Sequence, residues 1–219
     1  NGHLEIVKYL HSIGKNCTEN AMDWASMNGH LEVVKYLHSI GKECTKDAMY
    51  YAIYKGYLEI IKYLHSIGNV CSKNAMTLAS AKGHLEVVKY LHSIGKECTV
   101  YAMDYASQNG HLEVVKYLHR LSGNFVKLGK ECTVYAMDWA SMKGHLDVVK
   151  YLHCIIGKDC TNDAMMFASY NGHLEVVQYL HRLSSNFVKL GKECTTGAIN
   201  RASQLGHLEV IKYLHSITS

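Results

Sequence analysis

The chain has 219 residues, 48% of them hydrophobic and 19% charged, with a net charge of +4 and no proline. No apolar run approaches the roughly 20 residues that cross a bilayer, so a membrane span is excluded. A charge this mild, carried largely at one recurring lysine position, permits nucleic-acid binding without arguing for it.

One stretch recurs along the chain. In its fullest form it reads Gly29-His30-Leu31-Glu32-Val33-Val34-Lys35-Tyr36-Leu37-His38-Ser39-Ile40-Gly41, and copies begin at Gly2, Gly56, Gly83, Gly110, Gly144, Gly172 and Gly206. Differences between successive glycine positions are 27, 27, 27, 27, 34, 28 and 34 residues, and a period of this size marks a stacked repeat array. A repeat this short cannot bury a core alone and must lean on its neighbours. The repeats run over 1–16 (partial), 17–43, 44–70, 71–97, 98–131, 132–159, 160–193 and 194–219, a single array of eight complete or partial copies. Asn1 falls inside a repeat and the chain stops just after another copy of the motif, so the sequence reads as part of a longer array.

Within the repeat that starts at Cys17, Thr18 is the expected N-cap of a short first helix, with Cys17 and Met22 as a hydrophobic staple. Ala21, Met22, Ala25 and Ser26 give that helix a narrow stripe of mostly small residues, which permits close approach. Gly29 stops it. The second helix carries Leu31, Val34, Leu37 and Ile40 at spacing three, with Val33 beside them, and Glu32 stands three before Lys35 on the solvated face. Trp24, Tyr51, Leu78, Tyr105, Trp139 and Phe167 form a column that we assign to the seam between repeats.

Two repeats are longer by the segments 120–126 and 182–188. Ser-Gly-Asn is turn chemistry, so the second helices are expected to end near Leu121 and Leu183, with Phe125 and Phe187 folding back to anchor protruding loops. The two phenylalanines are 62 residues apart (187 minus 125), which implies a two-repeat duplication with both loops on one side.

The Gly-His-Leu-Glu-Val-Val-Lys-Tyr-Leu motif, with Ala-Met-x-x-Ala-Ser upstream of it, resembles the ankyrin repeat over essentially the whole chain. The resemblance implies an all-α, ankyrin-type helix-turn-helix solenoid, and a concave surface, lined by the first helices, on which protein partners lie. This chain departs from the family pattern in having Asn20-Ala21-Met22-Asp23 and its equivalents where the family has Thr-Pro-Leu-His. It is also about six residues shorter between Gly41 and Asp47, where the family projects a β-hairpin finger. Short Gly-Lys-Glu-Cys-Thr turns are therefore expected in place of fingers. The family's threonine-to-histidine bonding does not carry over.

Fifteen histidines and eight cysteines invite a metal reading. Seven cysteines occupy one repeat position, however, and equivalent positions in stacked repeats lie on the order of 10 Å apart, beyond the reach of a disulfide. Free thiols in a reducing compartment, cytoplasmic or nuclear, follow. No Cys-x-x-Cys or His-x-x-x-His pair occurs, so no metal or cofactor is expected. His38 and its equivalents form a structural column that should find hydrogen-bond partners, and that would loosen the array on protonation if it were buried. No carboxylate pair, Ser/His/Asp set or phosphate loop stands outside the repeat, and no catalytic residue is assigned.

Positions that vary between repeats carry the functional expectation. Asp23, Tyr50, Thr77, Asp104, Asp138, Met166 and Asn200 share one first-helix position, and Met27, Tyr54, Ala81, Gln108, Met142, Tyr170 and Gln204 share another. These read as one stripe not held by packing. Exposed Tyr and Met favour protein interfaces, so Tyr50, Tyr54, Tyr101, Gln108, Tyr135, Met142, Met166 and Tyr170, with Phe125 and Phe187 of the insertions, are the candidate partner-binding residues. The expected role is a non-catalytic protein-interaction scaffold, as a monomer or part of a larger assembly. A structural spacer and, less favoured, a nucleic-acid-binding array are the alternatives. The latter needs an unopposed lysine column, which the adjacent glutamates argue against. A varied stripe is also what neutral drift leaves on a solvated face.

Overall fold

The computed structural model describes residues 2–18, 20–123, 133–157, 161–186 and 192–217. These group into two compact units, Asn1–Glu97 and Cys98–Ser219, each taken by itself. The first contains α1 (Leu4–Ser12), α2 (Ala21–Met27), α3 (Leu31–Ser39), α4 (Lys46–Lys55), α5 (Leu58–Ser66), α6 (Ala75–Ala81) and α7 (Leu85–Ser93). The second contains α8 (Val100–Gln108), α9 (Leu112–Gly123), α10 (Tyr135–Met142), α11 (Leu146–Cys154), α12 (Asn162–Tyr170), α13 (Leu174–Asn186), α14 (Lys192–Gln204) and α15 (Leu208–Ser216). No strand occurs among the described residues.

Each unit is a helix-turn-helix stack. First helices pack on first helices, as α2 on α4 and α8 on α10, while second helices pack on second helices, as α1 on α3 and α11 on α13. The core lies between the two layers. Val33, Val34 and Leu37 of α3 meet Met22 and Ala25 of α2, and the same buried positions recur as Val148, Val149 and Leu152 against Met137 and Ala140. Each such leucine or valine contributes roughly 1.5–3 kcal/mol by leaving water. Ser26, Ser80, Ser107, Ser141 and Ser169 are fully buried beside them, and their hydroxyls find no hydrogen-bond partner. Small volume, which allows close helix approach, accounts for serine at that position. In α1 no residue is buried.

The turns follow from backbone hydrogen bonding. At the end of α3, Lys42 N–H reaches back to Leu37 O at 3.0 Å and Gly41 N–H to His38 O at 3.0 Å. This satisfies carbonyls that the helix leaves over.

Three expectations about helix limits are corrected. The cap expected at Thr18 is not made, because α2 begins at Ala21 after Asn20 and has no side-chain cap; threonine caps are made instead by Thr45 on α4 and Thr161 on α12. Helices α9 and α13 do not end near Leu121 and Leu183 but continue to Gly123 and Asn186. Leu121 extends the buried Val114–Leu118 stripe at helical spacing, and Arg120 and Arg182 each donate through Nε to a carbonyl one turn back, of Lys116 and Gln178. Finally, 192–195, expected as part of a turn, lies within α14. Phe125 and Phe187, with the proposed loop anchoring, lie outside the described residues.

Candidate interaction surface

An α-helix turns about 100° per residue. With Met22, Ala25 and Ser26 facing the core, residue 24 points almost directly away from it. The aromatic column assigned to the seam is accordingly not core: Trp24 is 67% exposed, Tyr105 and Phe167 are exposed, and Tyr51, Leu78 and Trp139 are half-buried. It shares the outward face with the candidate residues, of which Tyr50, Tyr54, Tyr101 and Tyr135 are exposed, while Gln108, Met142, Met166 and Tyr170 are half-buried.

The structure brings several of these together. In the first unit Tyr50 stacks on Tyr54, with ring centroids 6.3 Å apart and planes at 27°, and meets Tyr51 edge-on at 5.4 Å. In the second unit Trp139 stacks on Tyr135 at 5.7 Å and on Tyr105 of the preceding repeat at 6.0 Å. The result is a three-ring platform crossing from α8 to α10, in which Tyr135 is more than half exposed, as is Tyr101 on α8. Large, stiff aromatic area of this kind suits an interface.

The stripe also proves to be divided. Asp23, Asp104 and Asp138, read as unconstrained, are buried, and each clamps the threonine that opens the next repeat. Asp138 accepts from Thr161 N–H at 3.1 Å and from its hydroxyl at 2.8 Å, while Thr161 Oγ1 in turn accepts from Asp163 N–H at 3.1 Å. Asp23 with Thr45 and Asp104 with Thr133 repeat this arrangement. The clamp carboxylate is replaced by Tyr50, Thr77 and Met166 in the other repeats; α6 then starts at Ala75, three residues after Ser72, and α14 at Lys192, ahead of Thr195, while α8 still starts at Val100, directly after Thr99. Burial outweighs the two bonds from Thr161 and raises the Asp138 carboxyl above its usual 3.8.

Both histidine columns are structural, by different means. The His38 column is not buried: His11, His38 and His65 are exposed, and the partner of each is a side chain. Their Nδ1 atoms lie 2.8 Å from the hydroxyls of Tyr36, Tyr63 and Tyr90 in the following repeat, with rings edge to face. His119 with Tyr151 and His181 with Tyr213 continue the pattern in the second unit. At the His153 copy, which lies between these two, the Tyr179 hydroxyl meets Cys154 Sγ at 3.3 Å instead.

The other column lies over glycine. A Cβ on Gly144, whose φ is +78°, would stand 2.6 Å from His173 Nδ1, and His173 Nε2–H donates to Met142 O at 3.1 Å, capping the end of α10. His84 bonds Tyr54 O at 2.9 Å in the same way. Tyr57, the exception to Gly-His, occupies the same place: its ring also lies close against the preceding repeat's glycine, Gly29. Burial holds His173 below the usual 6.5. The stability this neutral ring contributes is therefore present above about pH 6.5 and is lost as pH falls through its folded-state value.

The model of the family described as ankyrin repeats (3 copies) matches residues 1–74, 24–102, 49–128 and 137–218. The chain belongs to the ankyrin repeat family. A comparison with curated proteins finds no match. Ankyrin repeats are protein-interaction modules, typically non-catalytic, and the fold here is the ankyrin helix-turn-helix solenoid. In this ankyrin chain the Asp–Thr clamp and the Gly-His seam join successive repeats where the family's Thr-Pro-Leu-His is absent.

Three further observations bear on chemistry. Lys8, Lys35, Lys62, Lys89, Lys116 and Lys212 each pair with the glutamate three residues before them at 2.7–2.9 Å, which neutralises the lysine column a nucleic-acid surface would need. Cys17, Cys44, Cys71 and Cys154 are free thiols, and burial pushes the Cys44 and Cys71 thiols up, away from the reactive thiolate. Among the described residues no group of three or more His, Cys, Asp or Glu is placed to hold a metal ion, and no helix is long and apolar enough to cross a membrane.

Proposed function

We propose that this ankyrin array is a non-catalytic protein-interaction scaffold whose partner lies on the outward faces of the first helices. The observation that carries this reading is the aromatic area left on those faces: the Tyr105–Trp139–Tyr135 stack in the second unit and the Tyr50–Tyr54 stack in the first. Folding gains nothing from leaving such rings in water, whereas an interface uses them. Tyr101 and Gln108 on α8 and Met142 on α10 share helices with the second-unit stack, while Met166, Phe167 and Tyr170 on α12 and Trp24 on α2 add further partly exposed side chains on first helices. The free thiols support a reducing compartment, cytoplasm or nucleus.

Replacing Tyr50, Tyr54 and Tyr170 by alanine is the test. The half-exposed rings make few buried contacts, so unfolding should shift by less than about 1 kcal/mol per site, while affinity for the partner falls by tenfold or more, as anchor residues worth at least about 1.4 kcal/mol require. Thermal unfolding and partner titration read the two effects. Full binding by a normally folded triple variant would instead mark the stripe as a drifted solvent face.

A further inference from the structure

In the first unit the second-helix lysines are matched: Lys35, Lys62 and Lys89 each hold a glutamate at 2.7 Å. At the ends of α4 and α6 the pattern differs. Lys55 is the last residue of α4 and Lys82 directly follows α6; both are exposed, and neither forms an ion pair among the described residues. Residues 50–57 and 77–84 contain no aspartate or glutamate. Both ammonium groups gather at one ring, Lys82 Nζ 4.2 Å and Lys55 Nζ 5.9 Å from the Tyr54 centroid. A cation held over a ring keeps its N–H donors available to an external acceptor. Tyr50, stacked on Tyr54, extends the apolar surface beside the two charges.

An aromatic platform bordered by two cations, with no carboxylate of its own, is complementary to a segment that carries acidic and apolar side chains together. We infer that this corner of the first unit binds an acidic protein segment, its carboxylates meeting Lys55 and Lys82 while an apolar side chain lies across Tyr50 and Tyr54. The inference rests on the partner-binding reading of the first-helix face and gives that partner a chemistry. Phosphate of a nucleic acid would also attract two lysines, but tracking a backbone needs a longer basic path, and the glutamate pairing on the second helices removes it.

The probe is a fluorescein-labelled peptide of repeated Glu-Glu-Leu-Tyr, titrated by anisotropy with the full chain beside a matched Gln-Gln-Leu-Tyr peptide and an oligo-dT. The wild type should prefer the glutamate peptide by about tenfold at low salt, as two exposed charge pairs allow. The preference should vanish in Lys55→Gln/Lys82→Gln and survive in the outer-face control Lys35→Gln/Lys62→Gln. Tyr54→Ala should weaken both peptides. Retention of the preference in Lys55→Gln/Lys82→Gln, its equal loss in the control, or tighter binding of oligo-dT would overturn the inference. If both peptides bind alike but Tyr54→Ala still weakens them, the acidic partner is wrong and the binding face stands. If Tyr54→Ala changes neither, both readings fall. Circular dichroism melts confirm that each variant is folded.

Discussion

Asp138→Ala is expected to lower the unfolding free energy by about 2–4 kcal/mol. The carboxylate takes two hydrogen bonds from Thr161 inside the seam between α10 and α12, and bonds to a charged group are worth about 1.5–3 kcal/mol each before the desolvation of the carboxylate is set against them. Removal also frees the hydroxyl that caps α12, so one substitution loosens both a repeat interface and a helix start. The loss should not add to that of Thr161→Ala, and a double-mutant cycle should show coupling of at least about 1 kcal/mol. Additive losses would mean that the clamp is a coincidence of packing.

The same aspartate gives the pH dependence a sign. Because its folded-state carboxyl is raised above 3.8, the native protein takes up that proton before the unfolded chain does, and gains relative stability as pH falls from neutral towards 3.8. The deficit of Asp138→Ala should therefore widen on acidification. His173 works in the opposite direction but is common to both proteins, so it cancels in the difference.

Gly144→Ala is the second large effect, expected at about 3 kcal/mol. An L-residue at φ +78° costs roughly 1–2 kcal/mol, and the added methyl would collide with the His173 ring and displace its bond to Met142 O. Gly157→Ala separates the two causes. Its φ is +71° but nothing lies within 4 Å of the new carbon, so strain alone should act. Equal losses at the two sites in chemical denaturation would show that the histidine seam contributes nothing.

The stack itself was legible in the sequence, since the glycine-led motif fixes the second helices and the Met22, Ala25, Ser26 stripe fixes which side of the first helix is buried. That stripe also implied, through helical rotation alone, that Trp24 and its equivalents face away from the core. Aromatic content suggested burial instead, and geometry overrides it. The Asp–Thr clamp was harder to read. Asp23 shares its position with Tyr50, Thr77 and Met166, which looks like absence of constraint, and its partner Thr45 becomes a neighbour only when repeats stack in register. The tyrosine of Lys-Tyr-Leu-His offered a clearer signal, recurring two residues before each His38-type histidine, yet the contact is made to the next repeat's tyrosine, 25 residues on at His38 and Tyr63. Helix lengths at α9 and α13 depended on whether Ser-Gly-Asn and Ser-Ser-Asn would break a helix that Leu121 and Leu183 still supported.

The most direct test of the central claim places a photo-crosslinking phenylalanine at four positions, one at a time: Tyr54 and Tyr135 on first helices, Glu59 and Glu113 on second helices. With the partner bound, covalent adducts should form from positions 54 and 135 and not from 59 and 113. Adducts from 59 and 113 alone would contradict the account and favour a structural spacer held by its outer face.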